Sequence, residues 1–251
     1  SGGGDGGSIS NIDAEHEEFE DLRRARGDAA RMWRRRWMKL LDKPSLRVIH
    51  AVAKFSPLFT RIVEDGAYLR AAFGTFAIIP TLASAALGVV SLALNGGAFV
   101  PPPWYLFLAI AVIGIFDTLA GLIGTVVFVL GSILLGAGGE LNNIRMLLGV
   151  IIVGYGPALL ANAFRAFRKV TENNNTYWWE RIVDMAVLPF IGGWVTSSMI
   201  STLPALAGVT LAVANHVADF SLFVAVSIAL RVVAEELAGR LFPERLNYLH
   251  P

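Results

Sequence analysis

Four polar residues inside otherwise apolar stretches are the candidates for chemistry in this sequence. Asn215, His216 and Asp219 are three and four positions apart, so they can share one face of a helix. Asp117 lies in the middle of another apolar stretch. Polar groups are costly to bury in lipid, so they mark candidate functional sites. A histidine beside carboxylates predicts a proton or cation relay, and the alternative is hydrogen bonding between helices that only fixes their packing.

Three common patterns of enzymes and phosphate-binding proteins do not occur in the sequence. It contains no Gly-x-Ser-x-Gly, His-Glu-x-x-His or Gly-x-x-x-x-Gly-Lys pattern. One His–Asp pair supplies too few ligands for zinc, which takes four, and the chain has no cysteine. We therefore expect no enzymatic activity, no cofactor and no bound metal.

A basic and aromatic surface is predicted near the N-terminus. Apolar residues recur at three- and four-residue spacing between positions 13 and 43, which indicates an amphipathic helix. Cationic side chains beside tryptophan suit the headgroup layer of a membrane, so we expect this arm to bind anionic lipid. A solvated helix packed on protein is the alternative. The residues expected to face lipid are Trp33, Arg34, Arg35, Arg36, Trp37 and Lys39.

The charges are distributed unevenly along the chain. Hydrophobic residues make up 55% of the sequence and charged residues only 16%, against about 25% charged in soluble proteins. Residues 1–70 hold 13 of the 21 Lys and Arg and 11 of the 20 Asp and Glu. The remainder is too poor in charge to cover a water-facing surface, which predicts a membrane-embedded part. A net charge of +1 gives no reason to expect a nucleic-acid partner.

Five apolar blocks follow the arm, and four of them are close to the roughly 20 residues that cross a bilayer as a helix. We therefore predict an all-α, polytopic transmembrane bundle of five or six embedded segments with an N-terminal amphipathic arm. The predicted domains are a linker at 1–12, the arm at 13–70, the bundle at 71–231 and a cytoplasmic tail at 232–251. The blocks are Ala71–Leu94, Trp104–Leu135, Met146–Phe164, Ile182–Leu203 and Ala205–Leu230.

The second block is too long for one upright helix. Its 32 residues would extend about 48 Å, so the helix is steeply tilted or the chain folds back near residues 115–118. A fold-back puts the basic arm, the loop with Arg165 and Arg168, and the tail with Arg240 on the cytoplasmic side. We favour this hairpin, with both termini cytoplasmic. Each arm has only about 15 residues, so a re-entrant hairpin is an equal alternative.

Two further patterns concern the helices themselves. Helix-weakening residues occur inside the apolar blocks, at Pro80, Pro189 and the motif Gly154–Pro157, and transporters use broken helices as binding sites. In addition, Glu235 and Glu236 lie four positions from Arg231 and Arg240, which predicts i,i+4 ion pairs.

Two functions are consistent with these patterns. The first is a non-catalytic membrane subunit or scaffold that binds anionic lipid through the arm and packs with partner membrane proteins or with itself. The alternative is a small transporter or an ion or proton channel that uses Asp117, Asn215, His216 and Asp219. We favour the first, because the embedded polar residues are few.

Overall fold

The computed structural model describes residues 62, 64–94, 102–135, 141–167, 178–207 and 211–242. All of them belong to one compact unit that covers residues 48–251. The predicted linker at 1–12 and the basic-aromatic surface from Trp33 to Lys39 lie outside the described residues.

Every regular element in these ranges is helical, in agreement with the predicted all-α class. Short 3-10 turns occur at Gly74–Ala77 and Ala212–His216. The helices are α1 (Ala67–Phe73), α2 (Ile78–Leu94), α3 (Trp104–Phe116), α4 (Thr118–Leu134), α5 (Leu141–Phe167), α6 (Trp178–Ala207) and α7 (Val217–Leu241).

Three helical segments are long and apolar enough to cross a membrane: Leu141–Arg165, Ile182–Pro204 and Ala212–Leu241. A fourth is added if α1 and α2, which are bent by 118° relative to each other, count as one broken span. The apolar helices α3 and α4 are shorter, with 13 and 17 residues. The described part of the chain is therefore consistent with membrane insertion.

The second apolar block folds back on itself at Asp117. This residue separates α3 from α4 and has extended backbone angles, φ −140° and ψ 102°. Gly114 and Gly121 touch across the turn, because a Cβ added at Gly114 would lie 3.1 Å from the Gly121 Cα. Residues seven positions apart in a straight helix are about 10 Å apart. The contact requires a reversal of the chain at the predicted place.

Contacts between small and large residues give the directions of the neighbouring helices. Gly88 of α2 faces Gly124 and Val127 of α4, and Leu92 faces Gly131, so α2 and α4 run in the same direction. Because α3 forms a hairpin with α4, it runs in the opposite direction to both. Close approach of these helices depends on the absence of side chains at the glycines.

The later helices continue this alternation. Gly114 of α3 faces Ala158 of α5, and Phe107 approaches Gly154, so α3 and α5 are parallel. Gly149 of α5 lies near Leu203 of α6, whereas Gly156 approaches Met199, so these two helices are antiparallel.

α7 is parallel to α3. Trp104 at the start of α3 stacks on His216, and Ile115 near its end is hydrogen-bonded to Arg231. Six helices, α2 to α7, therefore alternate in direction. The end where α3 and α7 finish is called the charged end below, and the other end is called the opposite end.

α5 is the central helix of the bundle. Within the protein, 56% of the apolar stretch of α5 is buried, whereas 22% of the apolar stretch of α6 is buried. Its buried residues Val150 and Val153 join Phe107, Phe128 and Phe220 in the hydrophobic core. Burial of this apolar surface holds the helices together. The exposed sides of α2 and α6 also carry large apolar residues.

Two predicted boundaries fall inside helices. The boundary between arm and bundle, at residues 70 and 71, lies within α1, and the boundary at residues 231 and 232 lies within α7. α7 continues to Leu241, beyond the fifth apolar block, because its charged last turns are paired internally rather than released as a tail.

Candidate functional site

Ionic side chains from three regions of the chain meet at the charged end, together with a hydroxyl from a fourth. The charged cluster is defined here as Asp65, Thr118, Arg165, Arg231 and Glu235. They come from the turn before α1, the start of α4, the last turns of α5 and the second half of α7. Asp65 is fully buried, and Arg231 is 3% exposed. Charges buried to this degree occur in proteins only when they are paired.

Each of the three guanidinium nitrogens of Arg231 donates a hydrogen bond within the protein. Nε donates to the Glu235 carboxylate at 2.8 Å, which confirms the predicted i,i+4 pair. Nη1 donates to the carbonyl oxygen of Ile115 at 2.6 Å, and Nη2 donates to the Asp65 carboxylate. The planar donor fork of arginine can serve three acceptors at once, so this side chain ties α7 to α3 and to the turn before α1.

Asp65 accepts from two directions. Its Oδ1 atom is bonded to Arg231, and Oδ2 accepts a hydrogen bond from the Thr118 hydroxyl. The guanidinium of Arg165 lies 3.9 Å from Oδ1 and 3.5 Å from the carbonyl oxygen of Glu64. The carboxylate thus faces one close cation, a second cation and a hydroxyl, an arrangement that offsets its desolvation.

Arg231 of the cluster and the nearby Tyr68 also satisfy backbone groups that the hairpin turn releases. A helix leaves its last carbonyl groups without intrahelical donors, and such groups need a partner when they are buried away from water. The Ile115 carbonyl accepts from Arg231, and the Phe116 carbonyl accepts from the Tyr68 hydroxyl at 2.6 Å.

Asp117 completes the turn as a helix cap. Its Oδ1 accepts from the backbone N–H of Leu119 at 3.1 Å, which satisfies a free donor at the start of α4. Gly66 packs against the same carboxylate, because a Cβ at that position would lie 3.0 Å from Oδ1. Asp117 is 5% exposed, and its position between α3 and α4 places it at the charged end.

The other three residues of the predicted polar site lie at the opposite end. Asn215 and Asp219 are exposed, and His216 is half-buried. The His216 ring stacks on Trp104 with centroids 4.5 Å apart, and its Nδ1 lies 3.6 Å from the Asp219 carboxylate.

The structure does not bring these three residues together with Asp117. The 13 residues of α3 separate the two ends, a distance of about 20 Å. Asp117 therefore lies apart from Asn215, His216 and Asp219, whereas a relay would need all four residues in one group. In the described part of the chain, no three acidic or histidine side chains are close enough to hold a metal ion.

The predicted helix-breaking signals do not interrupt the helices. α5 continues through Pro157 and α6 through Pro189. Pro80 is the third residue of α2, within the first turn, where a proline removes no intrahelical hydrogen bond. The interruption occurs at Asp117, where tertiary hydrogen bonds replace the lost helical ones.

Sequence reasoning missed Asp65, Thr118 and Arg231 as site residues. The predicted boundaries place Asp65 in the arm and Arg231 at the last position of the bundle, and neither position marks the residue as part of a site. The available signal was the hairpin itself, since a fold-back at residues 115–118 brings all three positions to the same end of the bundle.

The chain matches no family model, no curated protein and no solved structure.

Proposed function

We propose that this chain is a non-catalytic integral membrane protein, a subunit or scaffold that packs with partner membrane proteins or with itself. The observation that carries the proposal is the charged cluster. Its ionic groups bond to one another and to the hairpin backbone, so they are used to hold helices together. A bundle held in this way presents an apolar surface to lipid and to the helices of partners.

The alternative, transport by Asp117, Asn215, His216 and Asp219, has less support. A relay needs polar groups within hydrogen-bonding reach of one another or of bridging water. Asp117 caps α4 at the charged end, while His216 and Asp219 pair at the other end. The two groups are separated by the length of α3, whose buried residues Phe107 and Ile110 are apolar.

The proposal includes a topology. With six alternating helices, α2 to α7, all crossing the bilayer, the charged end faces the cytoplasm together with both termini. Arg165 and Arg240 then lie on the cytoplasmic side, in agreement with the excess of basic residues found there in membrane proteins. The N-terminal arm would bind anionic lipid on the same side.

Flux through reconstituted vesicles tests the proposal. We expect purified protein to carry no more protons or monovalent cations across the vesicle membrane than protein-free vesicles do. The double variant Asp219→Asn, His216→Ala should retain the assembly state of the wild type in mild detergent. Cross-linking in native membranes should recover the chain with a stoichiometric partner or a second copy.

One result would overturn the scaffold in favour of transport. It is a flux by wild-type protein that the double variant or Asp117→Asn abolishes, while the variant keeps its assembly and thermal unfolding. Asp117→Asn is a suitable probe, because asparagine also caps helices and the change removes only the charge.

A further inference from the structure

A sharp elbow precedes the first long apolar helix of the bundle. α1 and α2 are bent by 118° relative to each other, with the turn Gly74–Ala77 between them. Gly74 has φ 62° and ψ −128°, a conformation that side chains rarely adopt. The sequence predicts a span from Ala71, whereas the helix that follows the elbow begins only at Ile78.

The two sides of the elbow differ in their surroundings. Ala67, Tyr68 and Ala71 are buried, and α1 packs against α7. Phe73 and Phe76 are 62% and 72% exposed. α1 therefore crosses the charged end of the bundle, and the elbow presents two aromatic rings outward.

The length of α2 fixes the depth of the elbow in a membrane. Its 17 residues extend about 25 Å, slightly less than the roughly 30 Å of a hydrocarbon core. If α2 crosses, its first residue must lie at the edge of that core. The charged cluster agrees with this depth, because its Asp65 lies two residues before α1 and charges near the membrane edge cost less than charges at its centre.

We propose that the elbow is a lipid anchor at the cytoplasmic boundary of the bilayer, with Phe73 and Phe76 inserted among the acyl chains just below the headgroups. This inference rests on the membrane insertion in the proposed function. Lipid is the occupant because the rings continue directly into the exposed apolar residues Ile78 and Ile79 at the start of α2. Apolar residues on helices that lie in the membrane plane are buried at this depth.

Depth-dependent fluorescence quenching tests the anchor. The chain has no cysteine, so Phe73→Cys and Phe76→Cys can each carry one environment-sensitive fluorophore in vesicles of phosphatidylcholine and phosphatidylglycerol. Two control positions carry the same label. Leu82 lies six residues further along the chain than Phe76 and is 61% exposed, so its label reports the deeper membrane. The label at Arg240 reports the water phase.

The expected results differ for each position. Lipids brominated near the headgroup should quench Phe73 and Phe76 labels at least twofold more than lipids brominated near the chain end. The Leu82 label should show the reverse order. The Arg240 label should respond only to aqueous iodide.

Two results would overturn the anchor while leaving membrane insertion intact, provided that the Leu82 label responds to brominated lipid. One is iodide quenching of the Phe73 and Phe76 labels, which would place the elbow in water. The other is protection from both quenchers, which would mean that protein covers the elbow. Loss of lipid quenching at Leu82 as well would instead reject the proposed function.

Discussion

Arg231 and Asp65, which are 166 positions apart in the chain, form a buried ion pair at one end of the bundle. The pair joins the turn before α1 to α7, the last helix of the bundle. Thr118 and Ile115 bond to the same two side chains, so the hairpin between α3 and α4 is fixed by the pair as well. The ion pair and the two hydrogen bonds to it thus connect the beginning, the middle and the end of the described chain.

Removing one member of this pair should destabilise the bundle strongly. Asp65→Asn removes the fully buried carboxylate that faces Arg231 and leaves Glu235 as its remaining bonded counter-charge. We expect a loss of about 1.5–3 kcal/mol in the free energy of unfolding. Equilibrium unfolding in mixed detergent micelles measures the loss. Glu236→Gln, which breaks the exposed pair with Arg240, is the control and should cost less than about 1 kcal/mol.

The double variant Asp65→Leu, Arg231→Met should lose less stability than the two single changes together. Removing both side chains takes out the two buried charges of this pair together, and the two residues are in direct contact, so their effects are coupled. Additive losses in the same unfolding measurement would mean that the two side chains do not interact.

The Tyr68 hydroxyl should contribute through the hairpin backbone. Tyr68→Phe leaves the Phe116 carbonyl without its donor, at a cost of about 1–3 kcal/mol. Tyr105→Phe at the opposite end is the matched change, because Tyr105 is 52% exposed and should be close to neutral. Equal effects of the two changes in thermal unfolding would count against the hydrogen bond.

Close packing of the hairpin arms should make Gly121 intolerant of substitution. A Cβ at this position would lie 2.5 Å from the Gly114 Cα, so Gly121→Ala must push α3 and α4 apart, at a cost of about 1–3 kcal/mol. In contrast, Gly239→Ala in α7 meets no atom within 4 Å and should stabilise the helix by up to about 1 kcal/mol. We expect Gly121→Ala to lower the free energy of unfolding and Gly239→Ala to raise it.

Labelling from the two sides of the membrane should distinguish the hairpin from a single crossing. With six crossings, Leu135→Cys at the end of α4 reacts with an impermeant thiol reagent from outside the cell, and Arg240→Cys reacts only after permeabilisation. If the second block crossed the membrane only once, the chain would cross one time fewer before Leu135. Leu135 would then lie in the cytoplasm and Arg240 outside, so both results would be reversed. The absence of native cysteine makes the assignment direct.

Part of this architecture follows from local sequence patterns. The scarcity of charge after residue 70 and the apolar blocks indicate membrane helices, since apolar surface of that extent requires lipid or protein around it. The fold-back at residues 115–118 could be predicted because 32 residues exceed the bilayer thickness as one upright helix. The pairs of Arg231 with Glu235 and Arg240 with Glu236 follow from helical periodicity alone.

The charged cluster was decided only by tertiary structure. Nothing local distinguishes Asp65 or Arg231 from a solvated charge, because their environment is created by helices far away in the sequence. Asp117 and His216 appeared equivalent as polar residues in apolar surroundings, but the packing places them at opposite ends. Hydropathy and periodicity indicate which residues are removed from contact with water. The partners of buried charges depend instead on the order and direction in which the helices pack.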